Sequence, residues 1–518
     1  MKKAVSLVLA IVLIICLFAG CAGKNAATTE PPSANSTETA SAQNGAQKDT
    51  VTVGINVSLN SLQPMTAIQR DEQYVLSNVF DTLIELIDGE YVGELAESFS
   101  VSDDGMAVTV KLREGVKFHN GDTLTTKDLA YTYDGMKNYS YYANDATYYD
   151  HTEIIDEYNC VIHAAYQTPL FMLSLATVDV VNERAITEAN GDDFQPVGTG
   201  PYKFVSYDGF NNILLDANED YFKGAPEIKH LNYRIFSDDQ TMTMSLEAGE
   251  IDIIGVVDPT NASRFEGKDK YTVTWKDADG VYLLLFNTTQ APFDSKEVRQ
   301  AISYALDRES INLIISEGKC GVRDAFYSEK QAGAPDYDEL PHYTFDQEKA
   351  MSLLEDAGYP NGFTLDEPVR VTSDFEKLAV VMQQQLAEVG IRFEIEVLEA
   401  NTLFNNYLFV CKYNMMPFSL STELYDMAYC VQFFDASSQI PNMTGYDNAE
   451  VTALAKQASA AQDMQTRKEL YTQIWTILAD EQPITTIMSK KVAEISVSGL
   501  VDDEKVLTEV QGRNLHWN

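Results

Sequence analysis

Few residues in this 518-residue chain have the type and spacing to do chemistry, and each suggests a particular one. Cys21 closes the run Leu17-Phe18-Ala19-Gly20-Cys21, where small residues before a cysteine would admit a peptidase and leave a thiol able to carry diacylglycerol. Gly198-Thr199-Gly200 holds two of the glycines of a phosphate-cradling loop. It lacks the third, has no Gly-Lys-Ser/Thr, and is followed by Pro201, so it reads as a tight structural turn. Asp216, Asn218 and Asp220 open like a calcium loop, with Glu227 at the twelfth position. Tyr221, however, replaces the glycine that such a loop needs at its sharp turn, and Pro226 precedes the glutamate. The six histidines form no HExxH pattern, and no GxSxG marks a nucleophile. Cys160, Cys320, Cys411 and Cys430 are too irregularly spaced for a metal set. Asp103-Asp104 and Asp502-Asp503 read as turn carboxylates that cap or solvate. Among the tyrosines of residues 131–149, Tyr141 and Tyr142 fall where helical periodicity fades, and they are assigned to ligand stacking; the others are assigned to packing.

The elements that would position these residues follow from periodicity. Met1-Lys2-Lys3 and the apolar run Ala4 to Ala19 predict a signal segment over residues 1–20, too short for a standard membrane span. Residues 21–50 carry almost no large apolar side chain and predict a flexible tether, lipid-anchored at Cys21. Val51, Val53, Ile55 and Val57 alternate as a strand, and Val75, Leu76, Val79, Phe80 and Leu83 share a helical face. Asp88-Gly89, Asp104-Gly105 and Asn120-Gly121 mark hairpin turns, with Val108, Val110 and Leu112 alternating between them. Val281 to Phe286 is a short buried strand. Asp294 then reads as an N-cap, closed by Glu297, of a helix that buries Val298, Ile302, Ala305 and Leu306. A buried strand running into a capped helix in mid-chain is how a chain passes between two α/β lobes, which places the passage at Asn287. Beyond it, Arg392 to Leu398 alternate as a strand, and Leu470, Ile474, Ile477 and Leu478 line a helix ending near Pro483. Ile484 to Met488 and Val492 to Val497 predict two more strands.

A 45% hydrophobic content with 28 Tyr, 23 Phe and 3 Trp supports two or three domains with large cores. The formal net charge of −41 argues against nucleic-acid binding, because a phosphate backbone would be repelled over most of the surface.

Four segments in order carry a resemblance. They are ELAESFSVSDDGMAVTVKLREGVKFHNGDTLTTKDLAYTYD (Glu94 to Asp134), VGTGPYKF with ANEDYFKGAPEIKHL (Val197 to Leu231), FNTTQAPFDSKEVRQAISYALDR (Phe286 to Arg308) and DQEKAMSLLEDAGYPNGF (Asp346 to Phe363). Together they resemble the extracellular solute-binding proteins of family 5, the oligopeptide-, dipeptide- and nickel-binding receptors of ABC importers. The resemblance implies an α/β, two-lobed periplasmic-binding-protein-like fold, with mixed sheets flanked by helices and a hinge between the lobes. Lobe I would comprise residues 51–86, 197–286 and 491–518, with a subdomain inserted at 87–196. Lobe II would comprise 287–490. It also implies a monomeric, non-enzymatic receptor at the outer face of the cell envelope. Such a receptor has no cofactor, metal or catalytic residue, holds a small solute, in the first place a short peptide, and delivers it to ABC permease subunits. It would touch the membrane only through its lipid.

In peptide-binding members of the family a Trp is followed two residues later by an Asp, which pairs with the ligand's ammonium. The matching stretch runs from Met416 to Asp426, where Phe418 stands for the Trp and Ser421 stands near the position of the Asp, with Glu423 and Asp426 close by. The candidate ligand contacts are therefore Tyr141, Tyr142, Asn287, Phe418, Ser421, Glu423, Tyr425 and Asp426. The departure at Ser421 leaves two cargo readings: a peptide with a shifted anchor, or a metal chelate, sugar or opine-like compound. A surface hydrolase using the same cleft is the rival from another class. Replacing Cys21 by Ser is expected to move the protein out of the membrane fraction without unfolding it. Retention on membranes after a high-salt wash would overturn the lipid anchor.

Overall fold

Tyr271–Phe286 and Ile484–Val497 pair antiparallel along nearly their whole length, and the rest of the molecule is arranged on either side of them. In this computed structural model the chain divides into two units, residues 1–46 and 47–518. Residues 48–518 are described except 58, 60, 67–71, 88–89, 139–143, 190–193, 329, 421–425, 439–441, 462 and 504–509, and the side chain of 279. The signal segment, the tether and Cys21 thus lie outside the described residues.

Both paired strands are longer than periodicity predicts. The short strand at Val281 begins at Tyr271, and the two predicted strands after Pro483 are one. Polar residues interrupt the apolar pattern at Lys276 to Gly280 and at Ser489 to Lys491 without ending the backbone pairing. The interruption appears instead as a register shift between Asp277 and Val281. Gly280 sits there at φ +119°, and a Cβ on it would lie 2.6 Å from the Leu420 carbonyl oxygen, so only glycine fits. This break falls upstream of Asn287.

Beyond the break, the six apolar residues at Val281 feed two cores by alternation. Val281, Leu283 and Leu285 face one, and Leu284 and Phe286 face the other with Phe293, Val298 and Ile302. Before the break, Ile254, Val257, Phe265 and Ile495 form a third. The nine-stranded sheet runs Met415–Leu420, Tyr271–Phe286, Ile484–Val497, Ile253–Val257, Thr50–Ile55, His230–Ile235, Asn212–Ala217, Tyr202–Tyr207, with Gly321–Val322 also on Ile484–Val497. Thr50–Ile55 is parallel to both of its neighbours. Residues 96–164 build a separate antiparallel sheet of four strands, in which Val108, Val110 and Leu112 point inward as their alternation requires.

Several local expectations change. The helix expected over Val75 to Leu83 is only Gln73–Leu76. The Val79 carbonyl accepts from Gly200 N and the Asn78 carbonyl from Tyr202 N, bonds that replace a further helical turn. Ser295, not Asp294, caps Lys296–Ala305, accepting from Val298 N at 3.4 Å while its hydroxyl donates to Glu297. Arg392 to Leu398 divides into Ile391–Arg392 and Ile395–Val397, which pair with different strands. The helix before Pro483 runs Met464–Glu481, with Ile474 and Leu478 buried, and ends on Gln482 in the left-handed region at φ 46°.

Asp502 is no solvated turn residue. Its side chain is fully buried 3.7 Å from Lys276 Nζ, which bonds Glu494 at 2.8 Å, so one ammonium meets two carboxylates in the interior. Burial, partly offset by Lys276, pushes the Glu494 carboxyl up to about 8. Its folded value exceeds the ordinary 4.5, so the unfolded chain binds fewer protons between about 4.5 and 8 and stability falls as pH rises through that window. One such proton contributes up to about 1.4 kcal/mol per pH unit. Melting curves from pH 5 to 8 are expected to fall less steeply for Glu494→Gln than for the wild type. Parallel slopes would refute a proton held at Glu494.

Candidate functional site

Met415–Leu420 hydrogen-bonds to the far half of Tyr271–Phe286 and sets Phe418 opposite Leu283. The Phe418 ring stacks on Phe375 at 6.2 Å and 19° and meets Phe404 edge-on at 5.9 Å and 87°. Phe375 in turn lies edge-on to Tyr282 at 6.1 Å, and Lys490 Nζ sits 5.5 Å above the Tyr282 ring. All four rings are half-buried, so the group is an aromatic shelf with open surface beside the strand crossing. Carboxylates act on its Tyr282 end. Desolvation raises Asp258, as do the charges of Asp239 and Asp374, while Lys490 acts in the opposite direction. Burial, with Asp258 as the next cause, also raises the Tyr282 phenol. The shelf can take an apolar or planar group on its face and hydrogen-bond or ion-pair at its rim.

Of the residues assigned from sequence, Phe418 is on this shelf. Asp426 is 6% exposed and already bonded on both oxygens. Oδ2 lies 2.6 Å from Arg467 Nη1, and Oδ1 accepts from Ala428 N at 2.9 Å and Tyr471 Oη at 3.3 Å. It caps Met427–Val431, and burial raises its carboxyl against the pull of Arg467. Asn287 is equally engaged: Nδ2 donates to the Cys411 carbonyl at 2.8 Å, and Oδ1 accepts from Thr289 N at 3.1 Å and Thr289 Oγ1 at 2.6 Å. Tyr141, Tyr142, Ser421, Glu423 and Tyr425 lie outside the described residues. Sequence reasoning missed Tyr282, Phe375, Phe404 and Lys490, which come from four separate segments with no local pattern in common. The partners of Asp426 had a faint signal, since Arg467 and Tyr471 stand four apart on one helix.

The other motif residues are engaged by the fold. Gly198 and Gly200 pack so closely on Val79 that any Cβ would overlap its backbone. Between them Thr199 Oγ1 donates to Asp81 at 2.6 Å, and Tyr221, at the position of the calcium-loop glycine, donates to the same carboxylate at 2.9 Å. Glu94 joins them, paired with Lys223 and near Arg513; burial and the neighbouring carboxylates push it up to about 8. His119 lies 3.0 Å from the Gly200 carbonyl, and burial pushes it down to about 4. Cys160 and Cys320 are buried and Cys411 half-buried, and the buried Cys430 Sγ accepts from Gln331 Nε2 at 3.5 Å. Among the described residues no group of His, Cys, Asp or Glu is arranged to hold a metal, and no helix is long and apolar enough to cross a membrane. Across the molecule, residues 148–167 reach the 415–481 region through Tyr148 Oη, which donates to Gln432 at 3.2 Å, and Gln167 Nε2, which donates to the Ala460 carbonyl at 3.3 Å.

Known proteins share this architecture. The family model for the middle region of bacterial extracellular solute-binding proteins, family 5, matches residues 90–442, more than half of the chain. The oligopeptide-binding protein AppA of Bacillus subtilis is 28% identical over 528 residues, covering 93% of each chain. The ABC transporter substrate-binding protein CtaP from Listeria monocytogenes superposes with a TM-score of 0.81 at 23% identity, over 91% of this chain and 100% of that one. The structure of Bacillus subtilis AppA in complex with a nonapeptide superposes with a TM-score of 0.74 at 22% identity, over 91% and 99%. Their fold is the α/β arrangement of mixed sheets flanked by helices described above, and the chain belongs to the bacterial extracellular solute-binding proteins of family 5.

Proposed function

We propose that this protein is the lipid-anchored, extracytoplasmic receptor of an ABC importer and that its cargo is a short peptide held between two lobes. The aromatic shelf of Tyr282, Phe375, Phe404 and Phe418 beside the strand crossing carries this reading. It offers an open apolar face with polar groups at its rim, which suits capture and release rather than bond breaking. Residues 51–86, 197–286 and 491–518 would act as one lobe bearing the insert 87–196, and residues 287–490 as the other. Closing on the ligand would bury it from both sides and hand a compact complex to the permease. The similarity to an oligopeptide-binding protein supports peptide as the cargo. The protein would act as a monomer, anchored through Cys21, and would do no chemistry.

How the peptide's ammonium is met decides between cargoes. At Ser421 it would find only a hydroxyl, and a neutral hydrogen bond contributes about 0.5–1.5 kcal/mol against about 1.5–3 for a charged one. The Asp426 carboxylate is occupied by Arg467, so we assign the ammonium to Glu423, with Tyr141, Tyr142 and Tyr425 as further contacts. Ser421 itself favours the second reading, a cargo with no ammonium at that end, such as a metal chelate, a sugar or an opine-like compound.

Mass spectrometry of ligand released by denaturing the purified protein would supply a bound peptide for the test. Acetylating its N-terminus is expected to weaken wild-type binding by about tenfold, close to 1.4 kcal/mol, and to cost little more in Glu423→Gln. Asp426→Asn is expected to lower the melting temperature, through Arg467, without removing the acetylation effect. Equal affinities of the free and acetylated peptides in every variant would move the assignment to the second reading. With a verified ligand, small-angle scattering is expected to show a smaller radius of gyration; an unchanged radius would refute lobe closure.

A further inference from the structure

Four segments of the chain meet around a cavity of about 20 Å³. It is bordered by residues 324–326 and 340–342, by Trp475 and Leu478 of the helix Met464–Glu481, and by Ile484 and Thr486 of the strand Ile484–Val497. None of Tyr282, Phe375, Phe404 and Phe418 borders it. Arg308 braces the surroundings: Nη1 donates to the Tyr343 carbonyl at 2.9 Å, and Nε donates to the Thr486 carbonyl at 2.9 Å.

Two of the bordering residues carry a buried nitrogen with no hydrogen-bond partner among the described residues, Trp475 Nε1 and His342 Nε2. Trp475 is 4% exposed and packs against the rings of Phe326, Tyr327 and Phe434 at 6.2, 5.3 and 5.9 Å, which shields its indole N–H from bulk water. The other nitrogen of His342, Nδ1, lies 3.1 Å from Asp324 Oδ1. The same carboxylate accepts from Tyr337 Oη at 2.5 Å and from Tyr343 N at 2.7 Å. Burial would raise its carboxyl, but Tyr337, the Tyr343 N–H and the charge of Arg308 together hold it below the usual carboxylate range. An ionised carboxylate can only accept, so Nδ1 of His342 is the donor and Nε2 of the neutral imidazole is left as an acceptor. The cavity is therefore bordered by one unspent donor, the indole N–H, and one unspent acceptor, the imidazole nitrogen.

Size and polarity together select the ligand. A water needs roughly 10–15 Å³ of such space, so the cavity has room for one and little more. A cation in it would face the indole N–H, and an anion would face the unprotonated Nε2 with the Asp324 carboxylate behind it. Water alone of these both accepts and donates. Leaving two buried polar groups unmet also costs more than ordering one water. We infer that this cavity is a binding site for a single buried water, which accepts from Trp475 Nε1 and donates to His342 Nε2. The water completes a polar chain from Tyr337 through Asp324 and His342 to Trp475. That chain fastens residues 324–343 to the helix Met464–Glu481, next to the start of the strand Ile484–Val497. His342 and Trp475 act in it as positioning residues, and the site stands whatever the cargo of the shelf is.

The chain has 3 Trp, at 275, 475 and 517, so full-length protein with isotope-labelled tryptophan gives a spectrum simple enough to read, and Trp475→Phe assigns the indole N–H concerned. Trp275 Nε1 donates to Glu266 at 2.8 Å and Trp517 Nε1 to the Lys48 carbonyl at 3.0 Å, and these two serve as controls. The Trp475 indole N–H is expected to show a rotating-frame cross-peak to water, with the sign of a bound molecule and not of proton exchange. His342→Phe removes the acceptor and is expected to abolish that cross-peak while the control signals stay in place. A crystal structure of the wild type is expected to show one density peak about 2.7–3.2 Å from both nitrogens. The inference is overturned by a wild type without the cross-peak, by a cross-peak that persists in His342→Phe, or by an indole N–H that rests on a neighbouring ring face with no density beside it.

Discussion

Two strands must remain hydrogen-bonded to each other while they pass from one half of the molecule to the other, and this constraint organises the rest. Tyr271–Phe286 and Ile484–Val497 keep their pairing through a polar interruption by shifting register at Asp277 to Val281. Gly280 makes the shift possible because its backbone lies against the Leu420 carbonyl. Next to the break Lys276 is buried with Glu494 and Asp502, which ties both strands to the C-terminal segment. An ammonium in the interior is costly unless it is paired, so an arrangement that separated the three would be disfavoured by several kcal/mol. The cluster therefore contributes register and placement more than net stability.

The segments most distinctive in sequence turn out to be fold machinery. The glycine turn at Gly198 exists because Val79 leaves no room for a Cβ, and Thr199 and Tyr221 both donate to the buried Asp81. Phe286 to Arg308 carries the chain off the crossing strand, and Arg299 and Arg308, both 5% exposed, bond main-chain carbonyls at its close. The half-buried rings of Tyr282, Phe375, Phe404 and Phe418 lie outside those motifs and keep open surface.

Much of the frame was legible in sequence because its signals are local. Alternation at Val51 and Val108, the turn at Asp104-Gly105 and the apolar run at Val281 each report burial of a face within a few residues. Where local reading failed, a distant partner had intervened. The helix after Gln73 stops early because Asn78 and Val79 bond to Gly200 and Tyr202, and Asp502 is buried because Lys276 comes to it from more than two hundred residues away. Likewise Asp426, a plausible anchor by position, is taken up by Arg467 from another helix.

Sequence alone determined the class of fold, the order of its main segments and one member of the shelf, Phe418, since these depend on periodicity and on motifs contiguous in the chain. Only tertiary structure decided where the strands cross, which carboxylates are already paired, and which rings join Phe418. Those outcomes depend on contacts between residues far apart in the chain. Burial and charge pairing are properties of a neighbourhood in space, and no one-dimensional spacing among Tyr282, Phe375, Phe404 and Lys490 encodes theirs.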